Sequence, residues 1–274
     1  LLRFVAAYLQ SSLAQYLLLL TAYQINFERE RVTLNDIQKL PFIHPDQHPE
    51  PTRAWQILNS IVDETMALEQ RHGLLRQLYD PHKCDLLILE YFDLNRLQQA
   101  RVQEVSQAIA PYLQPSSVFS LDTPLQRRPN QAQLEDYAEA LHGEIHSWSQ
   151  FRGGVGDVTV EISVNSNVTY GPLGIIRVEP AVKMKHNRSS MFRTTTSDRA
   201  VKGLLERLSQ EKLLPLEILH NFHLATDVVI HTGQAIYLVK PLIARLWLHS
   251  EAYRDAERIV LSVLSNGYDR EAYR

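Results

Sequence analysis

Apolar and polar positions follow two different rhythms along this chain, and the change comes just past its middle. Residues 3–23 are dominated by Ala, Leu, Gln and Tyr with neither Gly nor Pro, which predicts one long buried helix. Leu34, Ile37 and Leu40 then recur at helical spacing, and Pro41 and Pro45 stop that short element. From His44 to Pro51, three prolines and two histidines predict a rigid extended connector. Thr52 is the expected N-cap of a helix reaching about Tyr79, with Trp55, Leu58, Ile61, Val62, Met66 and Leu68 on one face. Asp80 and Pro81 end it. Leu86 to Leu89 is a short apolar run, and helix returns from Leu94 to about Tyr112. A proline loop from Pro115 to Asn130 leads to a helix over Gln131–Ser149, whose buried stripe is Leu134, Tyr137, Ala138, Leu141, Ile145 and Trp148.

At Phe151 the rhythm shortens. Gly153, Gly154 and Gly156 break the helical pattern, and Val158, Val160, Ile162 and Val164 then alternate with Thr159, Glu161 and Ser163 as a half-buried strand does. Asn165 to Asn167 reads as a turn and Ile175 to Val178 as a second strand. A polar loop precedes a helix from about Asp198 to Gln210. Val228–His231 and Ala235–Val239 flank Thr232-Gly233 and read as a hairpin, after which Pro241 onward reads as helix to the end. The pattern holds no internal repeat. It predicts an α+β chain: a predominantly helical first half, then a small antiparallel sheet with flanking helices.

Composition narrows the classes without choosing among them. With 274 residues, 45% of them hydrophobic and 22% charged, the chain can bury a sizeable core unaided. Its single cysteine, Cys84, excludes an internal disulfide and a cysteine-rich zinc site, and fits a reducing compartment, so the expected location is cytoplasmic. The net charge of -3 requires any nucleic-acid surface to be local. Residues 4–23 are interrupted by Gln10, Ser11, Ser12 and Gln15, which argues against a membrane span, and neither a basic leader nor a small-residue cleavage site marks a signal peptide. The sequence opens on Leu1 inside an apolar pattern, which is expected either where preceding residues were removed or in a piece of a longer polypeptide.

Three stretches resemble the non-catalytic C-terminal part of adenine-specific (N6) DNA methyltransferases of restriction-modification or phage-defence systems. Ala7-Tyr8-Leu9-Gln10-Ser11-Ser12-Leu13-Ala14-Gln15-Tyr16 is similar to the helix that closes their target-recognition domain. Residues 31–45, which run through Leu40-Pro41-Phe42-Ile43-His44-Pro45, are similar to the exit from that domain. Leu87 to Ile109 resembles the following segment, in which an apolar strand, an aromatic residue and a Leu-capped helix recur. The resemblance implies the end of a recognition-type domain with long helices over 1–80, followed by a helical region over 81–150, and the change of rhythm at Phe151 sets off a small α+β domain over 151–274, to which the resemblance carries no function. It implies double-stranded DNA and a catalytic methyltransferase domain or subunit as partners. S-adenosylmethionine would then be bound in that catalytic domain or partner, with no cofactor, metal or catalytic residue here. The residues agree: there is no Pro-Pro pair to hold a flipped adenine, and Gly153-Gly154-Val155-Gly156 precedes a strand, whereas a cofactor loop follows one.

Candidate DNA contacts are Lys183, Lys185, His186, Asn187 and Arg188, continuing to Arg193, Arg199 and Lys202, with Arg127 and Arg128 as a second patch. Clustered cations beside hydroxyls and amides suit a phosphate backbone, although a solvated loop has the same composition. Arg29 and Arg31 alternate with Glu28 and Glu30, so local pairing competes with phosphate contact there. His142 and His146 stand four apart on a helix, but Gly143 occupies the place where a zinc protease carries Glu. His220, His223 and His231 straddle a helix end and a strand. Asp157 and Glu161 lie near Lys183 and Lys185, though Ser163 stands where a metal-dependent nuclease carries its lysine. Trp55, Trp148 and Trp247 each sit on an apolar stripe and read as core.

The leading expectation is therefore a DNA-recognition and docking module. One rival is an interaction or scaffold subunit of a defence complex that never touches DNA, docking through the terminal helix around Leu246 and Trp247. The other is a nuclease domain using Asp157.

Overall fold

The computed structural model describes residues 1–22, 32–72, 81–109, 124–151, 158–165, 172–180, 192–211, 213, 227–232 and 235–265. It divides into two compact units, Leu1–Leu121 and Asp122–Arg274.

In the first unit the expected helix over 3–23 is two: α1 (Leu2–Gln10) and α2 (Ser12–Thr21), bent by 63° at Ser11. Ser11 is extended, and its Oγ donates to the Tyr8 carbonyl at 2.6 Å while accepting from the Ala14 amide at 3.1 Å. The Ser12 amide donates to Asp85 Oδ1 at 2.9 Å. Ser11 and Asp85 thus satisfy groups that the helix break exposes, as an N-cap does. Among the described residues, no single helix is long and apolar enough to cross a membrane.

Helix α3 (Leu34–Gln38) starts on a capping box of Thr33 and Asp36, and Thr33's hydroxyl holds the Asp36 carboxyl below its ordinary range. Helix α4 (Pro51–His72) begins at Pro51, so Thr52 is not its cap. Proline suits the first helical position, where no intrahelical N–H partner exists anyway. Ala54, Ile57, Leu58 and Ile61 form its buried stripe. Trp55, expected in the core, is instead 37% exposed and donates its indole N–H to Asp46 Oδ1 at 2.8 Å. Met66 is exposed as well.

The apolar run Leu86–Leu89 is helical, within α5 (Pro81–Tyr91), which buries Cys84, Ile88, Leu89 and Tyr91. A run of four cannot distinguish a strand from a buried helix by periodicity, so the strand implied by the resemblance is corrected here. Helix α5 ends in a Schellman motif. The Leu94 amide reaches the Leu89 carbonyl at 3.2 Å, the Asp93 amide reaches Glu90 at 3.0 Å, and Asp93 takes the left-handed φ of 49°. Asn95 and Gln98 then form the capping box of α6 (Arg96–Glu104), which continues as one π-helical turn over Val105–Ile109.

The 41–50 connector is tied down by its neighbours. Tyr8 donates to the Pro41 carbonyl at 2.9 Å and Tyr91 to the Ile43 carbonyl at 2.6 Å. Glu50's amide donates to His48 Nδ1 at 3.0 Å, which leaves Nε2 to donate to the Tyr91 carbonyl at 2.9 Å. Pro45–Gln47 forms a 3-10 turn where an extended segment was expected.

In the second unit α7 (Gln131–Phe151) packs on a five-stranded sheet of order β3-β1-β2-β5-β4. The strands are β1 (Val158–Val164), β2 (Leu173–Pro180), β3 (Phe192–Thr196), β4 (Val228–His231) and β5 (Ile236–Pro241). The expected hairpin is β4–β5, antiparallel with His231 opposite Ile236. The expected polar loop ends in β3, which pairs parallel with β1, so the sheet is mixed. Val160, Ile162, Val164, Ile176, Val178, Ile236 and Leu238 face α7 and α9 (His249–Ser265). The opposite face, with Ile175, Tyr237 and Val239, meets Val201, Leu205 and Leu208 of α8 (Asp198–Gln210). The α+β class holds: among the described residues, helices alone in the first unit, and a sheet covered by helices in the second.

Pro241 closes β5 rather than opening a helix, and a 3-10 turn (Ala244–Leu246) intervenes before α9. Trp247, in that corner, is fully buried, and its indole N–H donates to the Pro241 carbonyl at 2.8 Å. Its ring lies close over Gly174: a Cβ there would sit 2.4 Å and 2.5 Å from Trp247 Cζ2 and Cη2. Trp148 is half-buried.

Candidate nucleic-acid interface

Lys183, Lys185, His186, Asn187 and Arg188 lie outside the described residues, as do Arg29, Arg31, Asp157, His220, His223 and the 153–156 glycines. The described candidates all belong to the second unit, and four elements position them.

Arg193 stands on β3 directly opposite Glu161 of β1, and Glu161 in turn stands opposite Arg177 of β2. The Arg193 guanidinium lies 2.9 Å from Glu161, Arg177 lies 3.9 Å from the same carboxylate, and Arg177 pairs with Glu179 at 2.6 Å. Parallel and antiparallel registers thus put three charges in a row on the sheet face that also carries Ile175 and Tyr237. Arg193 is 71% exposed, and it shares its acid with a second arginine. Such exposed pairs contribute little to stability, between about 0 and 1 kcal/mol, and yield readily to a phosphate. Glu161's engagement with two arginines also speaks against a metal-ligand role in a nuclease.

Arg199 and Lys202 follow on α8, which Ser197 caps by accepting from the Ala200 amide at 3.2 Å. Because Val201, Leu205 and Leu208 take the buried stripe, Arg199, Lys202, Glu206 and Arg207 share the solvent face. Lys202 lies 3.7 Å from Glu206, whereas Arg199 and Arg207 make no ion pair among the described residues. Arg207 was not anticipated as a candidate. The signal for it is its place eight residues after Arg199, on the same helical face.

The second patch divides. Arg128 donates to the carbonyl of Asn165, at the carboxyl end of β1. The Arg127 carbonyl accepts from the Ala244 amide at 2.7 Å. Asn165, read from sequence only as a turn residue, is buried and accepts the Leu173 amide on its Oδ1 at 2.8 Å. Gln131 Nε2 bridges Thr194 Oγ1 at 3.0 Å, which ties α7 to β3. The Ser197 amide meets the Val164 carbonyl at 3.0 Å, so Arg128 and Arg199 both lie near the carboxyl ends of β1 and β3.

Three of the histidines singled out in the sequence, His142, His146 and His231, lie among the described residues. His142 and His146 stack with ring centroids 5.8 Å apart, and no group of three or more potential ligands occurs among the described residues. His231 is half-buried on β4, and burial pushes its imidazole below the usual range.

The most deeply buried ion pair among the described residues of this unit is not among the candidates named from the sequence. Lys240, on β5, is 1% exposed and pairs with Asp255 of α9, which is 2% exposed. Tyr137 of α7 donates to the same Asp255 oxygen at 2.6 Å, and Lys240 Nζ lies 4.7 Å from the Tyr137 ring centroid and 5.5 Å from that of Trp247. Burial pushes the lysine down, opposed by the Asp255 charge, and burial beside Asp255 holds the Tyr137 phenol well above its ordinary value. Lys240, Asp255 and Tyr137 are all buried away from solvent. Trp247 is buried in the same core and Leu246 packs against it, so substituting either would also disturb this unit itself.

No protein-family model matches the sequence, and neither a curated protein nor a solved structure matches it.

Proposed function

We propose that this chain docks and positions duplex DNA for an adenine methyltransferase whose catalytic domain, with its S-adenosylmethionine site, lies in another domain or subunit of a cytoplasmic restriction-modification or phage-defence system. The likeness of residues 7–16 and 31–45 to the end of a target-recognition domain supports the reading. The observation that carries it is the exposed cationic series along β3 and α8. Arg193 shares one carboxylate with Arg177, Lys202 has a single exposed partner, and Arg199 and Arg207 make no ion pair among the described residues. Cations so arranged meet phosphates and set register. They read no bases, and sequence recognition falls to elements elsewhere.

The test is a salt titration of duplex binding with the full chain. Affinity should fall linearly on a logarithmic salt axis, with a slope of about -0.9 per phosphate engaged. Replacing Arg193, Arg199 and Lys202 with Gln should weaken binding uniformly across sequences and make that slope shallower by about one for each phosphate no longer neutralised. Binding that ignores salt, or a slope that survives the triple substitution, would overturn the proposal.

A further inference from the structure

Helix α9 meets the sheet and α7 through small side chains. Among its described side chains Ser250, Ala252 and Ala256 are buried along it, Ile259 is the one large aliphatic residue that is fully buried, and Tyr253 and Val263 pack against the same core only partly buried. A seam of Ser and Ala is smooth. Interdigitation of large side chains, which ordinarily fixes how far a helix lies along its partner, is weak here. The same seam contains one group that accepts only one position. Asp255 Oδ2 takes the Tyr137 hydroxyl at 2.6 Å and the Lys240 ammonium together, while Arg258 reaches Oδ1 at 3.5 Å and also pairs with Asp227, next to β4. Lys240 Nζ lies 3.4 Å from the Tyr137 hydroxyl, so the three groups close on one another.

We propose that the buried Lys240–Asp255–Tyr137 cluster is a register lock that seats α9 on the sheet in a single position. A helix slipping by one turn moves about 5.4 Å along its axis. In one direction that slip brings Ile259 toward Lys240 and leaves the ammonium buried without a carboxylate. In the other it brings Glu251, whose side chain is one methylene longer and pairs with Arg254 at 2.9 Å. Both alternatives give up the bond that Tyr137 makes to Asp255. A buried ion pair adds little stability over an apolar replacement of similar volume, but loss of one partner strands a charge. The lock therefore acts on uniqueness of seating, and its signature differs from that of an ordinary stabilising contact.

The experiment compares three variants of the full chain by denaturant unfolding and by amide hydrogen exchange: Lys240→Met, Asp255→Leu, and the two together. Each single substitution should lower the unfolding equilibrium's preference for the native state by on the order of a hundredfold or more. The double variant should recover to within about tenfold of the parent, yet lose exchange protection along α9 while α7 and β5 keep theirs. Tyr137→Phe, which keeps the ring and the ion pair, should reduce α9 protection more than it reduces global stability. A double variant that recovers stability with α9 protected as in the parent overturns the proposal, as do single substitutions without effect. A double variant no more stable than the singles overturns it too, since the pair would then act as a simple stabilising contact.

Discussion

Replacing Gly174 with alanine tests the packing at the centre of the second unit. The added Cβ would sit 2.4 Å and 2.5 Å from two carbons of the Trp247 ring and 3.2 Å from Leu242 Cδ2. Both ring distances are about 1 Å inside ordinary carbon–carbon contact. The indole cannot swing away freely, because its N–H is bonded to the Pro241 carbonyl and its ring packs 5.1 Å from that of Tyr137. Overpacking of this kind costs about 1–3 kcal/mol, and a displaced indole hydrogen bond adds about 1 kcal/mol. Against this, alanine restricts the unfolded chain more than glycine does, which returns about 0.4–1 kcal/mol. The net loss is about 1–3 kcal/mol, equivalent to a melting-temperature drop of about 2–12 °C for a unit of this size. Urea unfolding followed by near-ultraviolet circular dichroism, where a rigid buried indole contributes, would measure it. The decisive step is to repeat the substitution in a Trp247→Leu background. With the ring gone, Gly174→Ala should become neutral or stabilising. If it is neutral in the parent, or equally damaging in both backgrounds, the close approach of ring and strand is wrong.

Further outcomes follow from other residues. Burial pushes the Tyr8 phenol up to about 12, so the folded state keeps a proton that the unfolded chain releases near pH 10. Stability contributed by that proton is complete below pH 10 and is lost as pH rises toward about 12. Tyr8→Phe should flatten the alkaline limb of a stability–pH curve, while lowering stability at pH 7 by about 1 kcal/mol through the lost bond to Pro41. An unchanged alkaline limb would refute the assignment. At the end of α5, Asp93 holds a φ of 49° that glycine adopts without strain. Asp93→Gly should raise stability by about 0.5–1 kcal/mol in chemical denaturation, and a loss would mean the left-handed cap is mistaken.

What the sequence disclosed was what repeats locally. The period of Leu134, Tyr137, Leu141 and Ile145 located α7, and strict alternation located β1. Two apolar runs around Thr232-Gly233 located the β4–β5 pair. What it withheld depends on partners far along the chain. The break at Ser11 is fixed partly by Asp85, 73 residues from Ser12, whose amide it accepts. Strand β3 reads Phe-Arg-Thr-Thr-Thr, too polar to announce a strand, and is one only because β1 lies beside it. Trp55 sits at a helical stripe position, but Asp46 holds its indole at the surface. The candidate interface was only half legible, since charge could be counted while its pairing could not. Glu161's division between Arg177 and Arg193 follows from sheet register, and the sequence contains no hint of Arg128 closing on Asn165. Lys240 was the nearest to a readable signal: a lone cation inside Ile-Tyr-Leu-Val-Lys-Pro, an otherwise buried strand, needs a buried anion.

The segment from Pro41 to Glu50 has the composition of a hinge and the anchorage of a core element. Anyone shortening the chain would choose its prolines as a natural place to cut. A cut there would strand the hydroxyls of Tyr8 and Tyr91 and release both helices that carry them. The first unit therefore has no dispensable end at this point: its proline-rich stretch is the clasp around which α1, α4 and α5 are gathered.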